Sequence, residues 1–253
     1  MLLHQCHHGC VTPDIATEAC GSMPNLPSHL DAPRGAAILI TDQLGSPAEF
    51  LLCHTIVSSL NEGVACILVS TSNDLHHWSA ITSRSLKNIQ TYIDSKKFTF
   101  IDGASIVATE FNIDGASGNG SSRSSGPLKQ IYSRITESIN DLVTLGVAGG
   151  RPPILLLDDM STLEWIGINQ VDILRLYRAV IALCRKHDVS VIVLHHTISP
   201  DSPSPILIYL LKISHSIMDV VPFASGRSGA VSGEVRLGQI PSSGRFECGS
   251  KQR

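Results

Sequence analysis

The chain has 253 residues, 43% of them hydrophobic and only 16% charged, with a formal net charge of −3. That length buries a full core and suits one α/β domain with a tail better than two domains. The charge balance excludes a basic nucleic-acid footprint over the whole surface, so any RNA contact has to come from a local patch or from a partner.

In chain order, residues 1–33 carry Pro13, Pro24, Pro27 and Pro33 and show no periodicity, which predicts a disordered tail. Order is expected from residue 34. Ala36 to Thr41 is a short apolar run, read as a first strand, and Asp42 to Pro47 turns the chain. A helix is predicted from Ala48 to Leu60 with Pro47 as its first residue, and Asn61-Glu62-Gly63 supplies a glycine stop. Val64 to Val69 reads as a second buried strand, Asp74 to Ser85 as helix, and Phe98 to Ile101 as a third strand. Residues 112–127 are rich in Gly and Ser, cannot build a core, and predict a flexible loop.

Leu128 to Leu145 has Ile131, Ile135, Ile139 and Leu142 on one stripe, the pattern of an amphipathic helix. Pro153 to Asp159 is the clearest strand. The helix expected from Asn169 to His187 has an apolar arc wide enough to pack on a sheet and offer surface to a partner. Val189 to Leu194 is another buried strand, Ile206 to Ser214 a helix, and Ile217 to Val221 and Glu234 to Leu237 are late strands. Strand and helix alternate four times before these, which predicts an α/β fold with a mostly parallel sheet between helical layers. Residues 241–253 read as a polar tail.

The low charge has two readings: partners cover part of the surface, or the parallel sheet is buried on both faces. No run of about 18 apolar residues occurs, so no transmembrane helix is expected, and a secretory leader pattern is lacking at the N-terminus. Seven cysteines, with Cys53, Cys66 and Cys184 inside apolar patterns, fit free thiols in a reducing compartment.

Ligands of open α/β sheets bind at the carboxyl ends of the strands. After the first strand a phosphate-binding loop would read G-x-x-x-x-G-K-[ST], its backbone amides and Lys wrapping the phosphates. Here only Gly45, Ser46 and Pro47 stand at that place, no Lys occurs from Thr41 through Asn61, and Glu49 adds negative charge. Four apolar residues ending in Asp158 and Asp159 match the pattern of a magnesium-positioning acid, but an Asp closing a parallel strand also serves simply as a cap. His195-His196 and His76-His77 raise acid–base or metal roles without a recognised ligand spacing, against the plainer reading of satisfied histidines. His195, His196 and Asp158 could converge from neighbouring strand ends. His4, Cys6, His7, His8, Cys10, Cys20 and His29 crowd the tail without the spacing of a zinc knuckle. No catalytic residue, cofactor or metal site is assigned.

Three segments carry a family resemblance: Ala37 to Asp42 with its Lys-free turn, Pro153 to Ser161, and Ser225 to Val235. In this order they resemble Elongator complex protein six. The resemblance implies a RecA-like three-layer fold of the P-loop NTPase type without functional Walker motifs, and a non-catalytic role. It further implies a heterohexameric ring with the fourth and fifth Elongator subunits. That ring binds tRNA and docks on the catalytic subcomplex that modifies wobble uridines, in the cytoplasm and extending to the nucleus. A diverged ATPase using Asp158 or Asp159 for magnesium is the alternative. Arg227 is a candidate to face the ring pore, or a solvated turn residue. Two features depart from the family: the His/Cys-rich tail, and a short polar C-terminus from Gly238 that puts the closing strand in doubt.

Overall fold

The computed structural model describes residues 4–5, 10–12, 34–114, 126–144, 151–198, 202–223 and 233–239. Two short strands, β1 (His4–Gln5) and β2 (Cys10–Thr12), lie within the segment that sequence reads as a tail. The domain proper then runs β3 (Ala37–Asp42), α1 (Glu49–Asn61), β4 (Cys66–Ser70), α2 (Leu75–Thr82), α3 (Ile89–Asp94) and β5 (Phe98–Asp102). It continues with α4 (Gly103–Asp114), α5 (Gly126–Thr144), β6 (Ile154–Asp158), α6 (Ser161–Trp165) and α7 (Gln170–Lys186). β7 (Ser190–His196), α8 (Pro205–Ile213), β8 (Ser216–Pro222) and β9 (Gly233–Gln239) complete it.

All strands share one sheet in the order β1-β2-β9-β8-β3-β7-β6-β4-β5. From β8 to β5 every pairing is parallel, and β9 lies antiparallel on β8. β9 covers the expected late strand at Glu234 to Leu237 and runs to Gln239; residues 240–253 lie outside the described residues.

Alternation along each strand divides the core in two. Ala37, Leu39, Ile67, Val69, Leu155, Leu157, Val191 and Val193 face a layer built from α4 to α8. Ile38, Ile40, Cys66, Leu68, Leu156, Ile192 and Leu194 face α1, α2 and α3. Such a sheet is apolar on both sides, which is why its strands read as continuous hydrophobic runs. Each fully buried Leu or Ile contributes about 1.5–3 kcal/mol through apolar surface removed from water.

α7 shows the same economy. Ile173, Leu176, Tyr177, Val180, Ile181, Leu183 and Cys184 are buried on it, packed by the sheet and by α5 and α8. The wide apolar arc is thus used internally, with Val171 left exposed at the start of the helix.

Three helices go beyond the sequence expectations. α3 is capped by Asn88, whose side chain accepts from Gln90 N. α4 follows β5 without a loop, and its start is fixed by Asp102, which accepts from Ser105 N at 2.8 Å. α6 is a five-residue turn directly after β6. The expected 112–127 loop is shorter than read: residues 112–114 end α4 and residues 126–127 begin α5, and the rest lies outside the described residues.

Candidate functional site

β3 lies between β7 and β8, and its neighbours run in sequence to opposite sides of the sheet. The carboxyl ends flanking such a reversal are where open α/β sheets take ligands. Register brings Asp42 of β3 opposite His196 of β7, and Ser70 of β4 opposite Asp158 of β6.

The turn after β3 is tight. Ser46 N donates to Gln43 O at 2.8 Å, and the two residues form an isolated antiparallel bridge. Ser46 is buried, while Leu44 and Gly45 are exposed. A Cβ added at Gly45 would come no nearer than 3.8 Å to any atom outside the turn, at Pro222, so this glycine is not imposed by close packing. Pro47 lies just before the N-cap residue Ala48 rather than inside the first turn. Ala48 N donates to Asp42 Oδ2 at 2.6 Å, so the chain's own carboxylate closes the start of α1.

The other oxygen of Asp42 is hydrogen-bonded to His196 Nδ1. His196 Nε2 lies 3.3 Å from Asp159 Oδ2. One imidazole therefore bridges two carboxylates, both nearly inaccessible to solvent. Asp159 reaches this position from a left-handed backbone, φ 47°, at the end of β6. That conformation is costly for a residue with a side chain. It is braced by Thr71 Oγ1 donating to Asp159 O at 2.6 Å and Thr162 Oγ1 donating to Asp159 Oδ2 at 2.7 Å. Asp159 Oδ1 is buried without a hydrogen-bond partner.

Burial opposes the charge on His196, but the bonds to Asp159 and Asp42 and the charges of both outweigh it, raising its pKa to about 10. For Asp159, burial opposes ionisation, while the His196 bond and charge and the hydroxyls of Thr162 and Ser161 hold its pKa below the ordinary value. The pair is an imidazolium–carboxylate contact at neutral pH.

His195 behaves oppositely. It is buried, its Nδ1 is 3.0 Å from Ser161 Oγ, and burial drives its pKa down to about 4, keeping the ring neutral. Ser161 Oγ also accepts from His196 N at 3.0 Å, pinning α6 to the end of β7.

Asp158 belongs to a separate group. Ser70 Oγ and Ser72 Oγ donate to its Oδ2 at 2.6 and 2.9 Å. Burial outweighs these bonds and, with the charges of Asp159 and Glu49, raises its pKa to about 6. Nearby, Glu49 is bonded to His77 Nε2 and accepts from Asn73 Nδ2 at 3.2 Å, while His76 is exposed.

The structure thus brings His196 together with Asp159 and not with Asp158, because Asp158 turns to the hydroxyls of Ser70, at the end of β4, and Ser72 just beyond it. His195, His196 and Asp158 do not converge, and among the described residues no three His, Cys, Asp or Glu side chains could hold a metal. Asp42, read in sequence as the first turn residue and as the end of the Ala37–Asp42 segment, is the member of this cluster that was missed. Its signal was an acid at a strand end, six residues before the residue that opens a helix. Arg227 and the tail residues Cys6, His7, His8, Cys20 and His29 lie outside the described residues; His4 and Cys10 fall in β1 and β2.

The model of the family described as Elongation complex protein 6 matches residues 25–247. The chain belongs to this family. Among curated proteins none matches it. The fold is similar to that of the KaiC-like protein PH0186 of Pyrococcus horikoshii OT3, with a TM-score of 0.59 at 12% identity, over 83% of this chain and 82% of that one. It is also similar to the uncharacterized protein PH0321 of Pyrococcus horikoshii, solved with an unknown peptide, with a TM-score of 0.57 at 14% identity over 81% and 84%. The domain is accordingly RecA-like, and the family makes the chain an Elongator subunit.

Proposed function

We propose that this chain is a non-catalytic assembly subunit of Elongator. In this reading it joins the fourth and fifth subunits in a heterohexameric ring that binds tRNA and supports wobble-uridine modification by the catalytic subcomplex. The observation that carries the non-catalytic reading is the Asp42 carboxylate at the start of α1. The place where a phosphate-binding loop would offer backbone amides is taken by the chain's own side chain.

The surface around that end supports a docking role. Leu44 in the turn after β3, Trp165 and Ile166 at the end of α6, and Ile198 after β7 are exposed large hydrophobics. Apolar side chains grouped at one end of a domain mark interaction sites more often than scattered ones do. Head-to-tail contacts between RecA-like domains close into rings when the rotation permits. The site of action in this reading is the cytoplasm, extending to the nucleus. No described helix is long and apolar enough to cross a membrane.

The test is co-expression with the fourth and fifth subunits, followed by size-exclusion chromatography with light scattering. A complex of ring mass containing this chain in equal amount supports the reading; a monomer that ignores both partners refutes it. Leu44→Glu sharpens the test. Leu44 is fully exposed, so folding should change by no more than about 0.5 kcal/mol, while ring assembly is lost. Unchanged assembly removes the β3 turn from the interface.

A further inference from the structure

We infer that the carboxyl end of this sheet is self-liganded: the Asp42 carboxylate takes the place of a small oxyanion at the start of α1, and His196 takes the place of its counter-cation. The inference concerns the isolated chain and does not depend on ring assembly.

Four observations carry it. The Asp42 carboxylate, six residues before Ala48, accepts from Ala48 N at 2.6 Å. An ordinary capping carboxylate instead sits at the N-cap itself and bonds the amide two or three residues on, as Asp74 does to His77 N in α2. Asp42 is also only 1% exposed, whereas an oxyanion guest and an ordinary cap both have access to water. Its second oxygen is held by a histidine from β7, the strand inserted between β3 and β6. That histidine in turn reaches Asp159, at the place where sequence suggested a magnesium-positioning acid.

The charges are arranged as in a liganded site: an anion on a helix start, a cation beside it, and a second carboxylate behind the cation. Each is supplied by this chain. The other groups around His196 fit the same account. His195 is neutral and engaged with Ser161, and the Trp165 ring lies nearly parallel to His196, centroids 6.1 Å apart. A guest anion would have to displace a buried carboxylate that already has both its partners, so the native chain is closed to phosphate and to nucleotides.

Removing the carboxylate opens the site. Asp42→Gly leaves Ala48 N and one edge of the imidazolium without their partner and frees the volume of an acetate ion, enough to admit formate. The experiment compares thermal unfolding of the full-length wild type, Asp42→Gly, and the core variant Leu52→Ala, which loses stability without touching the site. Each is titrated with sodium formate or inorganic phosphate against sodium chloride of equal ionic strength. The expected result is saturable stabilisation of Asp42→Gly by formate or phosphate and none beyond chloride for the other two. Saturable stabilisation of the wild type by either anion, or of Asp42→Gly and Leu52→Ala alike, overturns the inference.

A double-mutant cycle covers the case in which Asp42→Gly does not fold. Asp42→Asn keeps the shape and an acceptor for Ala48 N, and His196→Gln removes the cation. If the two residues act as ligand and counter-ion, the effect of Asp42→Asn on the unfolding constant shrinks about tenfold or more in the His196→Gln background. Additive effects would mean that Asp42 is only a turn-closing cap, and the inference falls.

Discussion

On the β4 side of the sheet's carboxyl end, Asp158 is met by two serine hydroxyls; on the β3 side, its neighbour Asp159 is met by a histidine ring and a threonine hydroxyl. Both carboxyls are almost completely buried. Hydroxyl donors do not offset the desolvation of Asp158, and its pKa rises to about 6, whereas a cation beside Asp159 lowers its pKa. Adjacent acids on one strand end therefore differ in charge preference because the left-handed turn at Asp159 sends them to different neighbours. A buried carboxyl is tolerated in either way, but only the cation moves its pKa below the ordinary value.

The largest expected effect breaks the β3 side. His196→Ala leaves Asp42 and Asp159 facing each other without their shared cation, and we expect a loss of about 3 kcal/mol, checked by chemical denaturation at neutral pH. The low end of the range for such a loss applies because the histidine side chain is 30% exposed. The pH dependence has a defined sign. A histidine whose folded pKa is raised from 6.5 to about 10 contributes stability that is complete below 6.5 and lost as pH climbs through 10. The difference between wild type and His196→Gln should follow that course; a difference that grows with pH would contradict the bridge.

The β4 side should respond in the opposite sense. A carboxyl whose folded pKa is raised from 3.8 to about 6 binds more protons folded than unfolded, so stability falls as pH rises between those values. Asp158→Asn removes that penalty. Relative to wild type, the variant should gain about 2 kcal/mol between about pH 4 and pH 7. Parallel stability curves for the two proteins would show that the folded chain does not raise the pKa of Asp158.

Two glycines sharpen the comparison at smaller scale. A Cβ at Gly103, where β5 passes into α4, would meet Ser70 O and Thr71 Cγ2 at 2.9 Å, so Gly103→Ala should cost about 1–2 kcal/mol. Gly45 in the turn after β3 has no such neighbour, and Gly45→Ala should change stability by less than about 0.5 kcal/mol. Equal losses at both positions, read by thermal melting, would mean that the β3 turn is under a constraint its geometry does not show.

Much of this architecture is written in local patterns. The apolar runs at Ile38, Ile67, Leu155 and Ile192 fall in strands, and the stripe Ile131, Ile135, Ile139 and Leu142 falls buried on α5. α4 was not legible because it starts at a glycine with no turn between it and β5, and α6 because a five-residue helix spans too few turns to show a period. At the candidate site the acids Asp158 and Asp159 were visible as residues, but not which of them would meet His196. That pairing depends on β7 lying between β3 and β6, a strand order that no local sequence pattern records. The role of Asp42 was hidden for the same reason, since its histidine partner is 154 residues away.

The stacking of Trp165 on His196 has an optical consequence. The chain holds two tryptophans, one of them, Trp78, sealed in the core, and the other half exposed against the bridging ring. A protonated imidazole in contact with an indole accepts an electron from its excited state and darkens its emission. The emission of Trp165 should therefore be weak at neutral pH and brighten in alkali as His196 loses its proton. A neighbouring subunit that covers the indole should shift the Trp165 emission to the blue, so intrinsic light from one residue reports both the proton on His196 and the occupancy of the face beside it.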